Sequence, residues 1–343
     1  MEIGNQIKEL RIRRGVTQES LAQHLGVTPQ AVSKWERGVT TPDIGLLPEI
    51  STYFGVTIDE LFSISDEMRL ERIQNMLWDL RVIPQADVDS SREFLLNKAN
   101  HDPQNGKYHA LLAQMENHIA DSHRFLASEY AKEALRRDHT IKMAHSELTS
   151  AMGGTCGDWC ARNHYALIEY YKEFVEQHPK YLSGYLWLLD QLLDDNRLVE
   201  AEKYCSIVEK LDNTFRAPYY RGVLTLQKGD VITAKKMFAN MEKRFAEDWL
   251  MYLSLGDAMI RIGDYEQAKI YYRKYNDNQN SGPRYTDGLT SIAQLCEIQG
   301  DYAGAILAAE EEIAVLASDW NTTSGETVDQ LLRKIEYLKT RLK

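Results

Sequence analysis

Scarcities narrow this chain first. It has only 8 prolines in 343 residues and no convincing run of alternating, strand-like residues. Apolar positions recur at helical spacing almost everywhere, which predicts an all-α protein. No stretch approaches ~18 consecutive apolar residues, which argues against a membrane span. The 4 cysteines are scattered through a large chain, unlike a disulfide framework. Met1-Glu2-Ile3-Gly4-Asn5-Gln6 lacks the basic-then-apolar layout of a secretory signal, so a cytoplasmic location is expected. There is no Gly-rich phosphate loop ending in Gly-Lys-Ser/Thr, no Gly-x-Ser-x-Gly and no His-Glu-x-x-His. Acidic runs such as Asp194-Asp195 and Glu310-Glu311-Glu312 have nothing to hold them as an acid/base couple. No catalytic residues, cofactor or metal are expected, and the chain does not read as an enzyme.

Positive charge is also scarce: the net charge is −11. It is unevenly spread. Residues 1–37 hold Lys8, Arg11, Arg13, Arg14, Lys34 and Arg37 against Glu2, Glu9, Glu19 and Glu36, leaving +2 there and −13 in the rest. A locally positive face can meet phosphates while the acidic bulk discourages indiscriminate DNA binding.

Short helices with clear stops fill the segment from Ile3 to Phe62. The first carries Ile3, Ile7 and Leu10 on one face and ends at Gly15. Thr17 can cap the second, with Glu19 in its first turn near the positive dipole end. Leu21, Ala22 and Leu25 form its inner face, and Gly26 supplies the sharp exit. A third begins with Thr28 as cap and Pro29 at the first helical position, where a missing N–H costs nothing. Val32 and Trp35 lie on its buried side; Gln30, Ser33 and Lys34 are left on another, and Gly38 ends it. Two short helices joined by Leu25-Gly26-Val27 make a helix-turn-helix. A fourth follows Asp43, starting near Gly45 because of Pro48, and Val56 to Phe62 supplies a last short turn.

The run Thr17-Gln18-Glu19-Ser20-Leu21-Ala22, then Gly26-Val27-Thr28, then Val32-Ser33-Lys34-Trp35-Glu36-Arg37-Gly38, resembles the Cro/repressor (XRE) helix-turn-helix. Pro42, Phe54-Gly55-Val56 and Asp59-Glu60-Leu61-Phe62 fit the same pattern, over about one fifth of the chain. The resemblance implies a five-helix, lambda-repressor-like head whose third helix enters the major groove of double-stranded DNA. On the matched positions Gln30, Ser33 and Lys34 would read bases, Gln suiting adenine and Lys guanine. Pro29 stands where relatives often carry a polar base reader. Gln18 and Thr28, at helix N-termini, would bind phosphate. Arg37, like Arg13 and Arg14, is either a phosphate contact or a solvated charge. The family pattern further implies an ion pair between Arg11 and Glu36.

Downstream the chain repeats itself. Gly229-Asp230, Gly263-Asp264-Tyr265 and Gly300-Asp301-Tyr302 are spaced 34 and 37 apart, and Ala234, Ala268 and Ala305 follow five positions after each glycine. Ala201 lies 33 before Ala234. Small residues there let two helices approach, while Phe238 and Tyr272, four later, fill the groove beside them. The period resembles the tetratricopeptide (TPR) repeat, whose first-helix small residue Gly222 and Gly256 match. Upstream units are weaker: Ala127, Ala134 and Leu135 fit one, Pro179 closes another, and Pro103 closes one starting near Arg72. About seven units are expected, with Thr327 to Leu342 as a solvent-facing closing helix. The expected organisation is thus a head over residues 1–63, a linker over 64–71 and a TPR-type α-solenoid over 72–343. By register with the family, Asp190, Arg216, Tyr219, Asp257, Arg261 and Gln294 line the concave surface. Mixed charge with an aromatic suits a peptide or protein segment better than a small apolar ligand.

Cys156, Cys160 and His164 are spaced to share one helix face, with His145 as a conceivable fourth ligand. Core packing is the ordinary reading of such cysteines, and thiol or metal chemistry the alternative. The expectation as a whole is a transcription regulator whose array dimerises and senses a partner. The architecture resembles that of peptide-responsive regulators of Gram-positive bacteria. Two alternatives stay open: an interaction scaffold whose head does not bind DNA, and a thiol- or metal-responsive regulator.

Overall fold

In a computed structural model, residues 3–62, 66–154, 164–280 and 282–342 are described, and their regular elements are helical. Two compact units divide the chain, residues 1–116 and 117–343. Among the described residues no helix is long and apolar enough to cross a membrane.

The first unit opens with α1 (Ile3–Arg14), α2 (Gln18–His24) and α3 (Pro29–Glu36). A 3₁₀ turn over Ile44–Leu46 then leads into α4 (Leu47–Phe54) and α5 (Ile58–Leu61). Arg11, Arg13 and Arg14 fall in the last turn of α1, where cations oppose the negative helix end. Thr17 Oγ1 accepts from the Ser20 amide at 3.1 Å, and Thr28 Oγ1 from the Ala31 amide at 3.2 Å. Both predicted caps therefore start the helices they were assigned to. Between them the backbone reverses at Gly26, whose φ of +63° is one that a β-carbon disfavours. Ile3, Ile7, Leu10, Leu21, Ala22, Leu25, Val32, Trp35, Leu47, Ile50 and Leu61 form one buried cluster. At roughly 1.5–3 kcal/mol for each large apolar side chain, this cluster holds the head together without a disulfide. The unit continues through α6 (Asp66–Asp79), α7 (Gln85–His101) and the start of α8 (Lys107–Arg137).

That last helix corrects one expectation. Residues 107–137 form a single helix of 31 residues, where a repeat unit around Ala127 and Ala134 called for a turn. The cause is local: no glycine or proline falls within it, so nothing breaks the backbone ladder.

After α9 (Lys142–Ala151), the second unit settles into regular pairing. The order is α10 (Tyr165–Gln177), α11 (Leu182–Asp194), α12 (Leu198–Leu211), α13 (Arg216–Gln227) and α14 (Val231–Arg244). It continues with α15 (Trp249–Ile262), α16 (Tyr265–Asp277), α17 (Asp287–Gln299), α18 (Tyr302–Asp319) and α19 (Glu326–Arg341). The recurring Gly-Asp dipeptide acquires a mechanism here. Its glycine follows the last turn of one helix, and its aspartate caps the next through Thr233, Gln267 or Gly304 amides at 2.9–3.2 Å. Each hairpin thus turns within two or three residues.

Ala201, Ala234, Ala268 and Ala305 have no exposed surface. A β-carbon on Gly222 would meet Phe238 Cε1 at 2.5 Å, and one on Gly256 would strike the Tyr272 ring. The predicted small residues and ring fillers are therefore knob and hole of the same hairpins. The array is of TPR type. Its last helix, α19, turns Val328, Leu331, Ile335 and Leu338 inward and leaves its other face to solvent.

Candidate nucleic-acid interface and concave groove

On α3, Val32 and Trp35 are buried, 0% and 5% exposed, which fixes the helix's rotation about its axis. Gln30 and Lys34 are consequently exposed and Ser33 half-buried, on one face at i, i+3 and i+4. An amide, a hydroxyl and an ammonium lie along one side of an eight-residue helix. Thr28 and Pro29 sit at its N-terminus, where amide N–H groups lack helical partners. Arg37 Nε donates to the Ser33 carbonyl at 3.1 Å, closing the other end. Arg14 stacks its guanidinium 4.4 Å over the Tyr53 ring.

The polar network behind this face is tighter than the sequence disclosed. Arg11 grips Glu36 through Nε at 2.5 Å and its second terminal nitrogen at 2.9 Å. Its remaining nitrogen donates to the Val16 carbonyl at 2.9 Å. The Arg11–Glu36 pair implied by the family pattern is present. Gln18 Nε2 joins it, donating to Glu36 Oε2 at 2.8 Å. One carboxylate thereby ties α1, α2 and α3. Burial pushes the Glu36 carboxyl up, but hydrogen bonds from Arg11 and Gln18 outweigh it and hold the group below its ordinary value. The Gln18 amide nitrogen is oriented by this contact, a partnership no local pattern reveals.

In the second unit α11, α13 and α15 bring four of the predicted surface residues together. Tyr219 lies under the electrostatic influence of Asp190, Asp257 and Arg261 at once. Asp190, Tyr219 and Arg261 line a cavity of about 240 Å³, together with Gln191, Asp194 and Tyr220. Tyr220 Oη donates to Asp190 Oδ1 at 2.7 Å, and Tyr272 Oη to Asp257 Oδ1 at 2.6 Å. Both carboxylates reach solvent along the groove yet are hemmed in by protein on their other sides. That partial burial raises both, against the opposing pull of the tyrosine hydroxyls and Arg261. Trp187, 55% exposed, lies three residues before Asp190 on α11, in line with it. Sequence reading passed over Trp187, though its i−3 spacing from Asp190 was there to find. Arg216, its guanidinium 4.9 Å over the Phe215 ring, is not in the cavity lining but is near enough to act on Tyr220, and Gln294 is exposed on α17 outside that lining.

Cys156 and Cys160 lie outside the described residues. His164 Nδ1 meets Asp195 Oδ1 at 2.5 Å, and His145 Nε2 the His139 carbonyl at 2.9 Å. Among the described residues no group of three or more His, Cys, Asp or Glu side chains is placed to hold a metal ion. Cys205 and Cys296 are buried and free, and burial pushes the Cys205 thiol up to about 11. A thiol so raised is a packing residue at neutral pH.

Known proteins match the head. The helix-turn-helix family HTH_3 covers residues 7–61. The transcriptional activator BcrR of Enterococcus faecalis is 41% identical over 75 residues, 22% of this chain and 37% of BcrR. The chain therefore spans little more than a third of BcrR's length. An uncharacterized HTH-type transcriptional regulator of Methanocaldococcus jannaschii is 36% identical over 63 residues, 18% of this chain and 96% of that one. A crystal structure of a tetratricopeptide repeat protein from Parabacteroides merdae superposes with a TM-score of 0.38 at 14% identity, over 79% of this chain and 98% of that one. The last likeness is too loose to bear on function.

Proposed function

The chain belongs to the HTH_3 helix-turn-helix family of transcriptional regulators, and on that premise we propose that it is a sequence-specific DNA-binding regulator. In this reading it acts in the cytoplasm as a homodimer, and its TPR-type array senses a peptide or protein segment. The observation that carries the DNA-binding part is the face of α3. Gln30, Ser33 and Lys34 project from a helix whose opposite side is locked into the core by Val32 and Trp35. A rigid helix presenting a donor–acceptor amide and an ammonium suits base edges in a major groove. Gln18, Thr28, Pro29 and Arg37 flank it at the two helix starts and the helix end, where phosphates would lie. The family is regulatory rather than catalytic, in keeping with the lack of catalytic motifs.

Partner sensing is supported by the groove, where residues from three helices converge on one cavity. Dimerisation is supported by the small size of a single reading helix, which favours two heads on half-sites one helical turn apart. The test is affinity selection of random duplex DNA by the full chain at near-physiological salt. Enrichment of a two-fold symmetric site, lost when Gln30 and Lys34 become Ala, supports the reading. Failure to enrich any sequence, with or without array ligands, turns the chain into an interaction scaffold.

A further inference from the structure

Several carboxylates on the array are neutralised in contact. Glu202 is paired by Arg221 and Lys228, Glu242 by Lys274 at 2.7 Å, and Glu209 by Arg221 at 2.7 Å. Asp190 and Asp257 are not. Among the described residues neither has a cation within 4.0 Å, and the one partner shown for each is a tyrosine hydroxyl on Oδ1. Arg261 is near enough to influence both, and it hydrogen-bonds toward Tyr219. Asp194 also lines the cavity, with His164 Nε2 3.8 Å from its carboxylate. Asp190 and Asp257 outnumber the one guanidinium that acts on both, so an anionic anchor between them is disfavoured.

Both carboxylates are exposed to an incoming group, and the tyrosine hydroxyls satisfy only one oxygen of each. A cavity of about 240 Å³ is smaller than a usual small-molecule site and fits one long side chain. Beside it, Trp187 offers an exposed aromatic surface one turn along α11, suited to the remainder of an extended chain. We propose that this groove binds a short extended peptide by a positively charged group, a Lys or Arg side chain or a free amino terminus, held between Asp190 and Asp257. The inference rests on the partner-sensing reading above and gives that partner its charge.

The probe is a set of fluorescein-labelled heptapeptide pools with a free amino terminus acetylated or not, and with lysine, norleucine or glutamate fixed at the central position. Binding to the full chain is read by fluorescence anisotropy. The lysine pool is expected to bind about tenfold more tightly than the norleucine pool when the amino terminus is acetylated in both. Its advantage should disappear in Asp190→Asn/Asp257→Asn and shrink as salt rises. Equal binding of the lysine, norleucine and glutamate pools overturns the charge assignment and leaves partner sensing standing. Survival of the lysine preference in the double variant also overturns it. No binding of any pool up to millimolar concentration removes the sensing reading itself. A second measurement guards against misfolding: thermal unfolding of the double variant should occur at or above the parent temperature. A fall of several degrees would mark the two aspartates as structural and sink the proposal.

Discussion

At the scale of single residues, the head depends on Glu36 more than on any exposed charge. It is 5% exposed and accepts from Arg11 and Gln18 on two other helices. Replacing Glu36 by Ala strands a largely buried guanidinium, which costs about 3 kcal/mol for pairs of this kind. Hydrogen exchange over α1, α2 and α3 in the full chain should therefore accelerate by about two orders of magnitude in Glu36→Ala. The pH dependence follows from the lowered carboxyl. The folded head holds the ionised form more tightly than the unfolded chain does, so the contribution is complete above the ordinary carboxylate value. It is lost as pH falls through the depressed one. Protection should decline on acidification in the parent and lose that component in Glu36→Gln. On the DNA-facing side, Lys34→Ala should change which base is preferred. Arg37→Ala should weaken all sequences alike and lower the salt slope by about one. Base-selection profiles of the two variants separate these outcomes.

At the scale of elements, fit between a glycine and the ring it faces sets the spacing of each hairpin. Gly256 faces Tyr272 across α15 and α16, and Gly222 faces Phe238 across α13 and α14. Gly256→Ala should destabilise the array by about 1–3 kcal/mol, since overpacking forces backbone shifts. Part of the loss should return when Tyr272 is trimmed to Leu, a non-additivity that a double-mutant cycle of thermal unfolding measures. This level of structure was legible in the sequence because its determinants are local: a glycine to leave one helix, an aspartate to start the next, a small residue five later. The head was legible for the same reason, through Thr17, Gly26 and Thr28. Residues 107–137 were not, because the repeat register was extended over a stretch with no turn-forming residue. The groove was half legible. Asp190, Tyr219, Asp257 and Arg261 followed from register, but the hydroxyls of Tyr220 and Tyr272 come from residues 30 and 15 positions away. Their aim depends on how the helices pack.

At the scale of the whole molecule, the reading helix is too short to specify a site alone. Eight residues of α3 rise about 12 Å, roughly the length of four base pairs, a sequence that recurs every few hundred base pairs. Charge does not make up the shortfall, because residues 1–37 carry only +2 while the rest of the chain carries −13. Nonspecific attraction to DNA is correspondingly weak, so occupancy has to come from two heads engaged at once. Linking them turns the second contact into an intramolecular step and multiplies affinity by 10²–10⁴, as is usual for paired modules. A duplex carrying both half-sites about 10 base pairs apart should bind two chains, at least about a hundredfold more tightly than a duplex carrying one. Sedimentation of the complex gives the stoichiometry, and shifting the half-sites by five base pairs puts them on opposite faces of the helix. Affinity should then fall to the single-site level. If it does not, each head binds independently, and no rearrangement of the array could act through the spacing of the heads.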